Sequence, residues 1–108
     1  MNYTSQQELY GLSNYEVAAE LGARFRAYRV ALRLTQKDVA EKSGVSVLTI
    51  SRFEKGAAPS ISLYYYIALL RAIQQLERVA DSIPEIPESL YGKRRAAAQR
   101  VRRKQDEK

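Results

Sequence analysis

Between Gly44 and Gly56 the chain reads Val-Ser-Val-Leu-Thr-Ile-Ser-Arg-Phe-Glu-Lys. Helical spacing puts Val45, Ile50 and Phe53 where they can pin this segment to a body. Ser46, Val47, Leu48, Thr49, Ser51, Arg52 and Lys55 are then left pointing away from it. They offer hydroxyls, one guanidinium fork, one ammonium and two bare hydrocarbon tips. Such a set suits recognition of a surface. Val47 and Leu48 stand where water is expected, and that needs a reason.

Elsewhere the chemistry is thinner still. The 108 residues contain neither histidine nor cysteine. That excludes Ser-His-Asp and Cys-His nucleophile pairs, thiolate or imidazole metal centres, and a disulfide framework. Glu85 and Glu88 come nearest to a paired-acid site, but they lie in a proline-interrupted stretch and read as solvated charge. No glycine-rich phosphate loop is present. No catalytic residue, metal or cofactor is therefore assigned. No apolar run approaches the roughly 20 residues of a membrane span. The N-terminus lacks the basic-then-apolar form of a secretory leader, so the cytoplasm is the expected compartment.

The net charge of +6 is unevenly placed. Residues 1–88 carry equal numbers of basic and acidic residues, whereas residues 89–108 hold eight basic against two acidic. The excess belongs to a tail containing Lys93, Arg94, Arg95, Arg100, Arg102, Arg103 and Lys104. A basic arm beside a neutral body points to a polyanionic partner; a solubilising terminus is the plainer alternative.

Short capped helices must position the outward set. Ser13 with Glu16 three residues on has the form of a capping box. Val17, Leu21, Phe25, Tyr28 and Leu32 then recur at spacings of four, four, three and four, one apolar face of a helix to about Arg33. Arg24, Arg26, Arg29 and Arg33 are expected on its opposite face. Thr35 opens a helix over about 36–42, with Val39 facing inward and small Ala40 allowing a close crossing. Gly44 fits the position past its end that needs positive φ, where a side chain costs about 1 kcal/mol. Ser46 caps the next helix, and Gly56 stops it. Ser60 or Ser62 caps a fourth helix, which breaks near Gln74–Gln75 to give a fifth. Residues 1–13 form an arm or hold a short helix around Gln6 to Tyr10. Pro84 and Pro87 stiffen a linker. The reading is all-α: a compact five-helix bundle with a helix-turn-helix over residues 14–83, a flexible N-terminal arm over 1–13, and a linker with a basic tail over 84–108.

The stretch "LTQKDVAEKSGVSVLTISRFEKG" closely resembles the helix-turn-helix of the phage-repressor/Cro-like (XRE) family, and the resemblance extends over about Leu21 to Ile73. It implies a five-helix bundle that binds double-stranded DNA, usually as a dimer, with the third helix in the major groove. Position by position it implies base-facing roles for Val47, Leu48, Ser51 and Arg52. It places Gln36 beside a backbone phosphate, with Thr35, Ser46, Thr49 and Lys55 where phosphate contacts are common. Physics agrees: helix N-termini attract phosphate, arginine forks onto guanine O6 and N7, and aliphatic tips pack on thymine methyls. Val47 and Leu48 then read thymine. The alternatives are Leu48 folded into the bundle, and Arg52 held in a surface ion pair with Glu54 or Asp38. With few hydrogen-bonding base readers, backbone contacts and DNA shape must contribute more to specificity.

"LYYYIALL" supplies the second surface. Leu63, Tyr66, Ile67 and Leu70 share a core-facing side, and Tyr64, Tyr65 and Ala68 lie outside it. That patch is expected to be a two-fold contact; packing on the N-terminal arm or on another protein are the alternatives. A homodimer would set two reading helices about 34 Å apart on a near-palindromic operator. The layout as a whole, from "LGARFRAYR" through "IALLRAI" to the basic end, also resembles HipB-like antitoxins, encoded beside HipA-type kinases. That likeness implies an autoregulatory repressor that holds a toxin kinase inactive. The tail either tracks DNA or binds an acidic protein surface. A stand-alone phage or mobile-element regulator, and an interaction module without DNA binding, are the competing readings.

Overall fold

The computed structural model describes residues 6–87 and 89. Six helices and no strand occur among the described residues: α1 Gln6–Tyr10, α2 Asn14–Ala31, α3 Gln36–Ser43, α4 Val47–Glu54, α5 Leu63–Ala72 and α6 Arg78–Ser82. The five expected helices are joined by α1, the second of the two forms expected for residues 1–13. The basic tail from Lys93 to Lys104 lies outside the described residues.

Local chemistry sets the helix ends. Ser13 Oγ accepts from Glu16 N (3.1 Å) while Glu16 accepts from Ser13 N (2.9 Å), closing a capping box on α2. Thr35 and Asp38 repeat that box on α3. These hydrogen bonds hold the Glu16 and Asp38 carboxyls below their ordinary pKa, since they favour the charged form. Ser46 caps α4, and Ser62 rather than Ser60 caps α5. Gly44 closes α3 at φ 75°. The break after α5 falls at Gln74, which adopts φ 62°.

The core is Phe25, Val39, Val45, Ile50, Phe53, Leu69, Leu70 and Ile73. Phe53 joins its parts: its ring lies 5.6 Å from that of Phe25 and 6.0 Å, edge-on, from that of Tyr66. Helix α4 packs on α2 and α3, and α3 packs on α5. At the α2–α4 crossing the backbones nearly touch, and a Cβ at Gly22 would overlap the carbonyl oxygen of Phe53. Glycine is the residue that permits this approach.

Two expected faces are rotated. On α2 the buried line is Gly22, Phe25 and Arg29, while Leu21 (38% exposed), Tyr28 (44%) and Leu32 (40%) are only partly covered. Apolar residues surround this helix on most sides, so its inward side is decided by Gly22's close contact and Arg29's distant partner. On α5 the core takes Leu69 and Leu70, and Leu63 is exposed. Ala68 is half-buried and packs on the core, so it does not belong to the outer patch as expected.

Candidate nucleic-acid interface

Helix α4 divides its residues sharply. Ile50, Phe53 and Glu54 are buried. Val47 is 42% and Leu48 59% exposed, so Leu48 does not fold into the bundle. Arg52 and Lys55 are exposed, and Ser51 and Thr49 half-buried. The Arg52 side chain makes no hydrogen bond or ion pair among the described residues, since both carboxylates expected to compete for it are engaged elsewhere. Asp38 accepts from Thr35 N. Glu54 turns inward.

Glu54 is the part of the site that spacing along the chain does not reveal. Arg29 donates to both of its oxygens, Nε to Oε2 at 2.6 Å and Nη2 to Oε1 at 2.8 Å. Arg29 Nη1 also donates to the Leu34 carbonyl (2.8 Å), at the start of the loop before α3. Gln36 Nε2 donates to Glu54 Oε1 (3.2 Å), and Arg26 Nε stands 4.0 Å from the same oxygen. One carboxylate at the end of α4 thus ties together α2, the loop before α3, and the first residue of α3. The hydrogen bond to Glu54 raises the Arg29 pKa against the opposing effect of burial, so the guanidinium stays charged. Replacing such a buried pair by apolar residues is often neutral, but removing one partner strands a charge. The pair joins the end of α4 to α2 and, through Arg29, to the loop before α3.

The expected phosphate contacts divide in two. Thr35 and Ser46 are N-caps whose oxygens accept backbone N–H groups. Ser46 Oγ donates to Thr49 Oγ1 (2.9 Å), which leaves the Thr49 hydroxyl proton free for an external acceptor. Gln36 is the exception. Its side-chain amide is half-buried and donates to Glu54, leaving its backbone N–H at the open end of α3. Tyr64 (79% exposed) and Tyr65 (43%) occupy a different helix, their rings in edge contact at 6.3 Å.

A crossed pair of eight-residue helices, joined by a left-handed glycine and presenting the second helix outward, is a helix-turn-helix. A family model described as a helix-turn-helix domain matches residues 20–81. That span is more than half of the chain, and the chain belongs to this family. The assignment points to a DNA-binding regulator rather than an enzyme. No curated protein matches the chain. No helix among the described residues is long and apolar enough to cross a membrane.

Proposed function

We propose that this protein is a sequence-specific transcriptional repressor that binds a near-palindromic operator as a homodimer and regulates its own operon. The observation that carries the reading is the outer face of α4: Val47 and Leu48 exposed, and Arg52 without a partner among the described residues. In the bound state α4 lies in the major groove. Arg52 forks onto a guanine, Val47 and Leu48 pack on thymine methyls, and Ser51 adds a hydroxyl. Phosphates are held by Thr35, the backbone N–H of Gln36, Thr49 and Lys55, with Ser46 orienting the Thr49 hydroxyl. Tyr64 and Tyr65 form the two-fold contact. Lys93, Arg94, Arg95, Arg100, Arg102, Arg103 and Lys104 supply further cationic contacts. Such a protein works in the cytoplasm, beside the DNA it binds.

Fluorescence anisotropy with the promoter of the protein's own gene tests this. Arg52→Ala should weaken binding by about 5- to 150-fold, a loss of roughly 1–3 kcal/mol. Unchanged affinity would remove Arg52 from the interface.

The layout from first helix to basic end favours an additional role as antitoxin to a HipA-type kinase. Pull-down of the full chain from its native cell after nuclease treatment tests that role: a co-purifying kinase supports it, and its absence leaves a stand-alone regulator.

A further inference from the structure

The segment Ile83-Pro84-Glu85-Ile86-Pro87-Glu88 repeats one triplet twice, and the DNA-binding reading gives it no task. Proline holds its own φ near −65° and keeps the preceding residue extended. Ile83 is extended, at φ −137° and ψ 94°, and docking would draw the segment into polyproline II form. A polyproline II strand has three residues per turn and rises about 3.1 Å per residue. In that form the two isoleucines share one edge about 9 Å apart, the two prolines share the second, and the two glutamates the third. Ile83 is 86% and Ile86 46% exposed. An edge carrying two bare isoleucines calls for a cover.

The same protein has a groove of matching chemistry. Segments of this kind dock in aromatic-lined grooves. A cavity of about 540 Å³ lies against Leu21, Phe25, Tyr28 and Tyr66. A second, of about 210 Å³, lies against Leu21, Phe53, Leu63 and Tyr66. Leu21 and Tyr66 form the wall common to both, so the groove offers two successive apolar recesses for two isoleucines. Arg24 and Arg78 also line the larger cavity, within reach of a glutamate edge. Their present partners, Glu20 at 3.0 Å and Asp81 at 3.3 Å, belong to exposed pairs that exchange at little cost.

The chain does not fill its own groove. Asp81 and Ser82, at the end of α6, line the larger cavity, yet neither Ile83 nor Ile86 lines either recess. Both isoleucines stay exposed in their own chain. That leaves the recesses open to the strap of a second copy.

We propose that the Ile83–Pro87 strap of one copy docks in the α2–α5 groove of a second copy, Ile83 and Ile86 entering the two recesses. Its test is independent of DNA. The chain has no natural cysteine, so Ile86→Cys chains can be mixed with Gln75→Cys chains, Gln75 lining the larger cavity. The expected result is a disulfide-linked heterodimer formed faster than with the exposed control Lys42→Cys. Independently, the doubly substituted chain Ile83→Glu/Ile86→Glu should dimerise at least about tenfold more weakly in sedimentation equilibrium. Both isoleucines are exposed in the single chain, so its fold should survive these changes. Cross-linking no faster than the control overturns the proposal, and so does wild-type sedimentation of the doubly substituted chain. Closure within one chain carrying both Gln75→Cys and Ile86→Cys also overturns it, by putting the strap in its own groove. Failure here leaves the Arg52 test untouched.

Discussion

The first turns of α4 and α5 are built alike and furnished differently. Each is capped by a serine whose hydroxyl accepts a backbone N–H three residues on, Thr49 in one case and Tyr65 in the other. Each exposes large apolar side chains, Val47 and Leu48 against Leu63, Tyr64 and Tyr65. Beyond that they diverge. The α4 turn is followed by Arg52 and Lys55, and its far end is clamped to α2 and α3 through Glu54. The α5 turn carries no charge before Arg71 and is followed by the core residues Leu69 and Leu70. Hydrocarbon beside cations on a rigidly held helix fits a polyanion with apolar methyls. Hydrocarbon and phenol without charge fit another protein surface. Exposure alone does not separate the two roles; the neighbouring charge and the anchoring do.

The largest expected effect breaks the anchoring. Glu54→Ala strands Arg29 in the interior and should cost about 3–5 kcal/mol, read as a lower urea midpoint. Gln36 also loses its partner in this variant, so α4 should be presented less rigidly. A cost below about 1 kcal/mol would show that the clamp does not hold the reading helix. Next in size is a matched pair. Leu48→Glu sets a carboxylate against phosphates and should lower promoter affinity by about a hundredfold, near 2.7 kcal/mol, with little change in stability. Tyr64→Glu should instead weaken dimerisation, seen by sedimentation, with half-site contacts intact. Reversal of these two outcomes would exchange the roles of the two turns. Smaller again are the caps. Ser46→Ala and Ser62→Ala should each cost about 1 kcal/mol of stability, but only the first should also weaken DNA binding, because Ser46 orients Thr49.

The smallest effect is one of pH. Glu16 and Asp38 have lowered pKa values in the folded chain, so their contribution is complete above their ordinary values of 4.5 and 3.8. It is lost as pH falls through the lower folded values. The urea midpoint should therefore drop on acidification below about pH 4, and Ser13→Ala/Thr35→Ala should flatten that drop. An equal drop in the substituted chain would assign the acid sensitivity to other carboxylates.

Features decided within four residues were legible in the sequence. The capping box Ser13–Glu16, the Thr35 cap, the left-handed Gly44 and the break before Gln75 all depend on neighbours along the chain. So does the exposure of Val47 and Leu48, which follows from Val45, Ile50 and Phe53 facing inward. Arg29 and Glu54 were not legible. They stand 25 residues apart, and each resembles an ordinary surface charge until folding brings them together. The one local hint was Gly22, a glycine inside a helix that otherwise lacks any reason for one. Leu63 and Ala68 exchanged their expected places because α5 sits with Leu69 at the centre of its buried side, a rotation that several apolar faces of "LYYYIALL" allow equally well.

The central claim is that the outer face of α4 meets the duplex. Amide chemical-shift mapping of the isotopically labelled full chain, titrated with its promoter duplex, tests it most directly. The account predicts that the largest shifts fall on Thr35, Gln36 and Ser46 to Lys55, and that they are absent with a scrambled duplex at matched salt. Shifts confined to other segments, or an α4 unmoved by its own promoter, would contradict it.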